Sequence, residues 1–229
     1  MSGSPEQLAR LMGQMTIGKE GDVEKYEQLK LSHSQVITSF SSRSACWGCF
    51  KNEHNLSNDA IKAMYTQDDF YQNLNIALCQ GDITPQFKMY TQLLAHTVWS
   101  KIEVLPDKVY RGVNFSDRLV DMYEAQKGNV IYWYGFTSTT RDEKITKEFG
   151  DWRIEIELVR GCRDCVADIS SESKYPQEKE ILISANAGFK VIDVNKKEKV
   201  IYLRLVDEAH CLKWEPNKSC NKHKVASIR

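Results

Sequence analysis

Little in this chain points toward a charged or lipid partner. Its 31 lysines and arginines balance 31 aspartates and glutamates over 229 residues, so no net field draws it to nucleic acid or to an anionic membrane. No apolar run approaches the ~20 residues needed to span a bilayer. The start, Met1-Ser2-Gly3-Ser4-Pro5-Glu6, lacks the basic patch and apolar stretch of a secretory leader. The close, from Lys222 to Arg229, is basic and polar, unlike a lipid-anchor signal. These absences lead us to expect a soluble, cytoplasmic protein with neither nucleic acid nor membrane as partner. No repeat, low-complexity tract or Pro/Gly linker divides the chain. One compact unit is therefore expected, with 41% hydrophobic residues to build its core.

Cysteine is not lacking: there are seven. Cys46-Trp47-Gly48-Cys49 and Cys162-Arg163-Asp164-Cys165 each have the two-residue gap of a metal clip or redox pair. The pairs lie more than a hundred residues apart, and no histidine pair completes either one, although His54 lies near the first. The expectation is small thiols and no bound metal, against the rival reading of a zinc-organised interaction protein. No strand precedes Cys46 in the way a thioredoxin-like motif requires.

The hydrophobic period divides the chain. Ser4 caps a helix with Pro5 at its first position and Leu8, Leu11, Met12 and Met15 on one face. A second amphipathic stretch runs 23–31, and 32–58 reads as loop. Asn58 is expected to cap a helix carrying Ile61 and Met64. Asp68 caps another, with Phe70, Leu74, Ala77 and Leu78, and a third after Pro85 shows Phe87, Tyr90, Leu93, Leu94 and Val98. Near Pro106 alternation takes over. Strands are expected at 108–113, 130–136, 152–158, 180–184, 189–194 and 200–206, with helical pieces at 118–126 and 142–149. Helices followed by strands imply an α+β protein.

Three segments carry polar groups at the ends or edges of apolar runs: Val109–Val113, Gly135–Thr140 and Gln177–Ile183. Arg111 stands mid-strand, where its planar fork suits a pyrophosphate or a carboxylate. The alternative is a structural salt bridge to Glu155 or Glu157. Gly112 beside it would let a ligand approach the backbone. In Thr137-Ser138-Thr139-Thr140, Thr140 and Glu143 have the spacing of a capping box, which leaves Ser138 free to support a carboxylate. Glu178 and Glu180 are two apart, so in a strand they share a face. Like charges that close raise at least one pKa. The alternative is a solvated edge with Lys179 opposite, but the buried run Ile181-Leu182-Ile183 follows at once.

An arginine, a serine and a paired glutamate in this order resemble the R-S-E signature of the arginine-specific mono-ADP-ribosyltransferases. Ile61–Thr66 and Phe70–Leu78 are similar to the helical region that precedes the family's catalytic core. Glu148-Phe149-Gly150, Glu180-Ile181-Leu182-Ile183 and Gly188-Phe189-Lys190-Val191 resemble later family segments. The resemblance spans about Asn58 to Val206. It implies a mixed or antiparallel β core of two packed sheets around an NAD cleft, following the helical part. The implied organisation is an N-terminal extension over 1–57, a catalytic domain over 58–207 (helical part 58–105, β core 106–207) and a basic tail over 208–229.

Carried over residue by residue, Arg111 would contact the NAD phosphates and ribose, and Ser138 would support the nicotinamide ribose and the glutamate. Glu180 would stabilise the ribosyl cation as nicotinamide leaves, and Glu178 would orient and deprotonate an acceptor guanidinium. Tyr65, Gly112 and Ser171 complete the expected NAD contacts. NAD is thus the implied co-substrate, and a protein with an exposed arginine the implied acceptor. Two departures stand out: the serine motif reads Ser-Thr-Thr where Ser-Thr-Ser is usual, and no proline follows the glutamate strand. The rival enzymatic reading is an NAD glycohydrolase with water as acceptor. A non-catalytic module that keeps the fold is the rival from another class.

Overall fold

Trp152, Ile154, Ile156 and Leu158 alternate with Arg153, Glu155 and Glu157, and that two-residue period makes a strand with one buried face. The structure, a computed structural model, describes residues 57–66, 104–159, 165–185 and 187–207, with single helical residues between 71 and 98. In chain order the elements are α1 (Asn58–Tyr65), β1 (Lys108–Val113), α2 (Asp117–Ala125), β2 (Val130–Trp133) and β3 (Thr137–Thr140). A 3-10 helix (Glu143–Glu148), β4 (Trp152–Leu158) and β5 (Val166–Asp168) come next. A 3-10 turn (Pro176–Glu178), β6 (Glu180–Ile183), β7 (Ala187–Asn195) and β8 (Val200–Asp207) complete the order. The expected helices over 4–31, Asp68, Phe70, Ala77, Pro85, Phe87, Tyr90, Leu93, Cys46, Cys49, His54 and Cys162 lie outside the described residues. Among the described residues no helix is long and apolar enough to cross a membrane, which says nothing of a β-barrel.

The strands form one mixed sheet in the order β2-β7-β8-β4-β1-β3-β6-β5. Only β4 and β8 run parallel. The expectation of two separate packed sheets differs from this arrangement, and the reason is local. β1 and β4 share six register pairs, whereas β1 and β3 meet at the single pair Tyr110↔Thr140. The sheet is pinched there, with a wing of five strands on one side and β3-β6-β5 on the other.

The small wing is buried on both faces. Ile181 and Ile183 of β6 join the large core with Val109, Ile131, Ile154 and Phe189, while Leu182 turns into a second core. That second core holds Ile61, Tyr65, Leu74, Leu78, Leu94 and Val98 from the helical residues. A strand covered on both sides reads as a continuous apolar run instead of an alternation, which is why Ile181-Leu182-Ile183 has no polar break.

Several local expectations are corrected. Ser57, not Asn58, caps α1, its hydroxyl accepting from Ala60 N at 3.0 Å, and Met64 is exposed. The expected 130–136 strand stops at Trp133. Asn75, fully buried, takes both backbone groups of Phe136: Phe136 N donates to Asn75 Oδ1 at 2.9 Å and Asn75 Nδ2 donates to Phe136 O at 3.2 Å. Side-chain bonds replace ladder bonds at that residue, and the chain turns into β3. The Thr/Ser cluster is itself a strand, paired with β6, so the capping box is not formed. Asp142 caps the following 3-10 helix, accepting from Lys144 N at 3.1 Å. An all-polar run such as β3 and a three-residue run such as β5 give no apolar period to detect, so both are tertiary products.

Candidate active site

The pinch in the sheet brings the three sequence segments together. One register row crosses it from Tyr110 to Thr140 to Glu180, linking β1, β3 and β6. Arg111 follows Tyr110, and its Nη1 donates to the Ser138 carbonyl at 2.5 Å, spanning the joint where the ladder is thinnest. Its Nε is buried without a hydrogen-bond partner among the described residues. Burial lowers the Arg111 pKa, while Tyr65, Tyr123, Tyr71 and Glu180 raise it. The alternative partners are engaged elsewhere: Glu155 pairs with Lys108 at 2.5 Å and Glu157 with Arg204 at 2.8 Å. The guanidinium therefore keeps donor capacity inside a low-dielectric joint, which suits an anionic ligand.

Glu180 opens β6 with only 6% of its surface exposed. Desolvation pushes its carboxyl up to about 7, and the nearby Glu178 charge adds to the rise. The Ser138 hydroxyl, the Ser173 hydroxyl and the Arg111 charge oppose that rise. Ser173 Oγ lies 3.5 Å from Glu180 Oε2. The carboxyl is thereby poised near neutrality in a site lined by an arginine and two hydroxyls.

Glu178 reaches the same region by a route the two-residue period did not foresee. It ends the Pro176–Glu178 turn and is not part of a strand. Lys179 then adopts a left-handed conformation (φ 50, ψ 50) before β6 begins. Thr140 Oγ1 donates to the Glu178 carbonyl at 2.7 Å, and Lys179 Nζ pairs with Asp142 at 2.8 Å. A left-handed residue without glycine is uncommon, and these contacts hold it. The turn, not strand alternation, brings the Glu178 charge close enough to be felt by the Glu180 carboxyl.

The remaining candidates divide. Tyr65 is buried beneath the site, donating to Phe136 O at 3.4 Å and accepting from Asn75 Nδ2 at 3.2 Å. Burial first, then the Glu180 charge, pushes its phenol pKa upward, so it stays protonated. At Gly112 a Cβ would stand 2.0 Å from the Thr146 carbonyl oxygen, so the chain's own 3-10 helix packs against the glycine on that side. Ser171 is exposed and donates to Glu172 Oε2 at 2.6 Å. Ser173, two residues on, is the serine that reaches Glu180. Sequence reasoning missed Ser173 and Asn75. The detectable signal for Asn75 was an amide on the same helical face as Leu74 and Leu78. Cys165 is buried, and among the described residues no group of three or more His, Cys, Asp or Glu is placed to hold a metal ion.

Comparison with known proteins identifies the family and the fold. Residues 12–211 match the family model described as NAD:arginine ADP-ribosyltransferase. A Mycobacterium avium (strain 104) protein provisionally named NAD(+)–arginine ADP-ribosyltransferase Mav is 32% identical over 144 residues. That match takes in 61% of this chain but only 16% of Mav, so the chain spans a small part of that relative's length. Among solved structures, ADP-ribosyltransferase HopU1 of Pseudomonas syringae pv. Tomato DC3000 aligns with a TM-score of 0.54 at 17% identity, covering 90% of this chain and 98% of its own. C3stau2 from S. aureus, solved with NAD, aligns at 0.53 and 16% identity, covering 82% and 97%. These structural likenesses establish an ADP-ribosyltransferase-like fold.

Proposed function

Because the chain belongs to the NAD:arginine ADP-ribosyltransferase family, we propose that it transfers ADP-ribose from NAD to arginine side chains of proteins, releasing nicotinamide. The observation that carries this reading is Glu180, a carboxyl buried to 6% exposure beside Arg111 and the hydroxyls of Ser138 and Ser173. A fixed negative group in a dry site is what a reaction that develops positive charge on a sugar requires. NAD supplies the ADP-ribosyl group and a leaving nicotinamide. In this reading the NAD cleft lies at the joint between the two wings of the sheet, and residues 58–207 form the catalytic unit between an extension over 1–57 and a tail over 208–229.

Each group then has a role. Arg111, with Nε still available, binds the pyrophosphate through its fork. Ser138 holds the Glu180 carboxylate and the nicotinamide ribose. Glu180 stabilises the ribose as the N-glycosidic bond breaks and its electrons leave with nicotinamide. Glu178 hydrogen-bonds the incoming guanidinium and takes its proton as the new C–N bond forms. Tyr65, protonated and buried, supports the floor of the site.

The test is incubation of the full chain with labelled NAD and a free-arginine analogue, following nicotinamide release and adduct formation together. Both products in equal amounts support transfer. Nicotinamide without adduct replaces it with hydrolysis, and neither product overturns the enzymatic reading.

A further inference from the structure

A lysine stands among the most deeply buried side chains of the described residues. Lys62, on the inward face of α1 beside Ile61 and Tyr65, has no exposed surface. Burying an ammonium is costly unless a partner compensates it. Glu172 is such a partner, its Oε1 2.7 Å from Lys62 Nζ across 110 residues of chain. One helical turn later, Thr66 Oγ1 donates to Ala63 O at 2.9 Å and accepts from Lys174 N at 3.0 Å. Helix α1 therefore grips the 169–175 loop at residues 172 and 174. Ser173, between them, is the residue whose hydroxyl lies against Glu180.

The loop is also tied at its base. Ile169 N donates to the Glu180 carbonyl at 3.0 Å, and Glu172 N and Ser173 N donate to Ile169 O at 3.1 and 2.9 Å. Tyr175 N donates to Ser173 Oγ at 3.1 Å, orienting the hydroxyl from the other side. These bonds close a ring from the Glu180 backbone, through the loop, to its carboxyl. The bonds to Ile169 and Tyr175 shape the loop from within, and the contacts from α1 fix it against the rest of the fold, offsetting part of the loop's conformational entropy.

We propose that Lys62 and Thr66 are positioning residues for Glu180, clamping Glu172 and Lys174 so that the Ser173 hydroxyl stays on the Glu180 carboxyl. This rests on the reading of Glu180 given above. The groups facing Glu180 are Arg111 from β1, Ser138 from β3, Glu178 from the turn, Tyr65 from α1 and Ser173 from the loop. Loosening the clamp removes one of the two hydroxyls that favour the carboxylate and leaves the others in place. The proton should then be held to higher pH.

The experiment compares the full chain with Lys62→Met, Lys62→Arg, Thr66→Val, Ser173→Ala and the Lys62→Met/Ser173→Ala pair. Two measurements are made on each. One is the pH profile of nicotinamide release. The other is the carboxyl 13C titration of glutamate-labelled protein, with the Glu180 resonance assigned through Glu180→Gln. Ser173→Ala, Lys62→Met and Thr66→Val should each move the Glu180 midpoint up by about one pH unit. The pair should move it no further than Ser173→Ala alone, and Lys62→Arg should restore it. Folded single variants with an unmoved midpoint overturn the proposal, as do shifts that add in the pair. If Lys62→Met fails to fold, Thr66→Val decides. If the unaltered chain releases no nicotinamide, the functional reading falls while the carboxyl titration still judges the clamp.

Discussion

A carboxyl that ionises near neutrality makes the working form of the site depend on pH. In the proposed reaction Glu180 acts as a carboxylate, so kcat/KM for nicotinamide release should fall as pH drops through about 7, the value to which burial raises it. A profile flat from pH 5 to 9 would contradict this. Glu180→Gln removes the charge and keeps the shape, and should cost about 10²–10³-fold in kcat. Activity within a few-fold of the unaltered chain would remove Glu180 from the chemistry. Arg111→Lys keeps the charge but loses the fork that now reaches the Ser138 carbonyl while leaving Nε available. Calorimetry should show NAD affinity reduced by about tenfold or more. An unchanged affinity would make Arg111 a strut across the sheet joint.

At the scale of elements, the turns and the strand joint decide what the side chains meet. Glu178 sits on its own 3-10 turn, separate from the strand that carries Glu180. Glu178→Gln should therefore separate two activities: transfer to arginine is lost, because nothing orients or deprotonates the guanidinium, while hydrolysis by water survives in good part. Equal loss of both would mean that Glu178 serves NAD or the turn's shape. Gly112 makes a packing statement. A methyl there would meet the Thr146 carbonyl at 2.0 Å, and a backbone atom cannot swing aside as a side chain can. Gly112→Ala should lower stability by about 1–3 kcal/mol in urea titration. No change would mean the 3-10 helix yields freely. Arg111 and the glutamate pair were legible from residue type and order. The turn beneath Glu178 was not, because Pro176 and a left-handed lysine leave no periodic trace.

The whole molecule bears the cost of the site as pH-dependent stability. Glu180 holds its proton more tightly folded than unfolded, since its pKa rises from 4.5 to about 7. Between those values the native state binds more protons, so stability declines as pH rises. The loss is complete above about pH 8 and amounts to on the order of 3 kcal/mol. Glu180→Gln abolishes that decline. The variant should match the unaltered chain near pH 4 and exceed it at pH 8 in urea midpoint, while being the less active protein. Parallel stability curves for the two would show that Glu180 is not desolvated in the folded chain.

The sequence by itself determined the elements whose signal is local. The alternation of 152–158, the run 108–113 and the helical spacing of Leu74, Leu78, Leu94 and Val98 each report one buried face, which neighbours along the chain suffice to encode. The R-S-E order was readable too, because residue type and order survive without coordinates. Tertiary structure decided the rest. It made Thr137–Thr140 a strand by pairing it with β6, packed the Thr146 carbonyl against Gly112, and brought the Ser173 hydroxyl to Glu180. It also joined Lys62 to Glu172 across 110 residues. Such contacts form only after distant segments close on one another, and the entropy of that closure is recovered from the packed core as a whole. No short stretch of sequence records it.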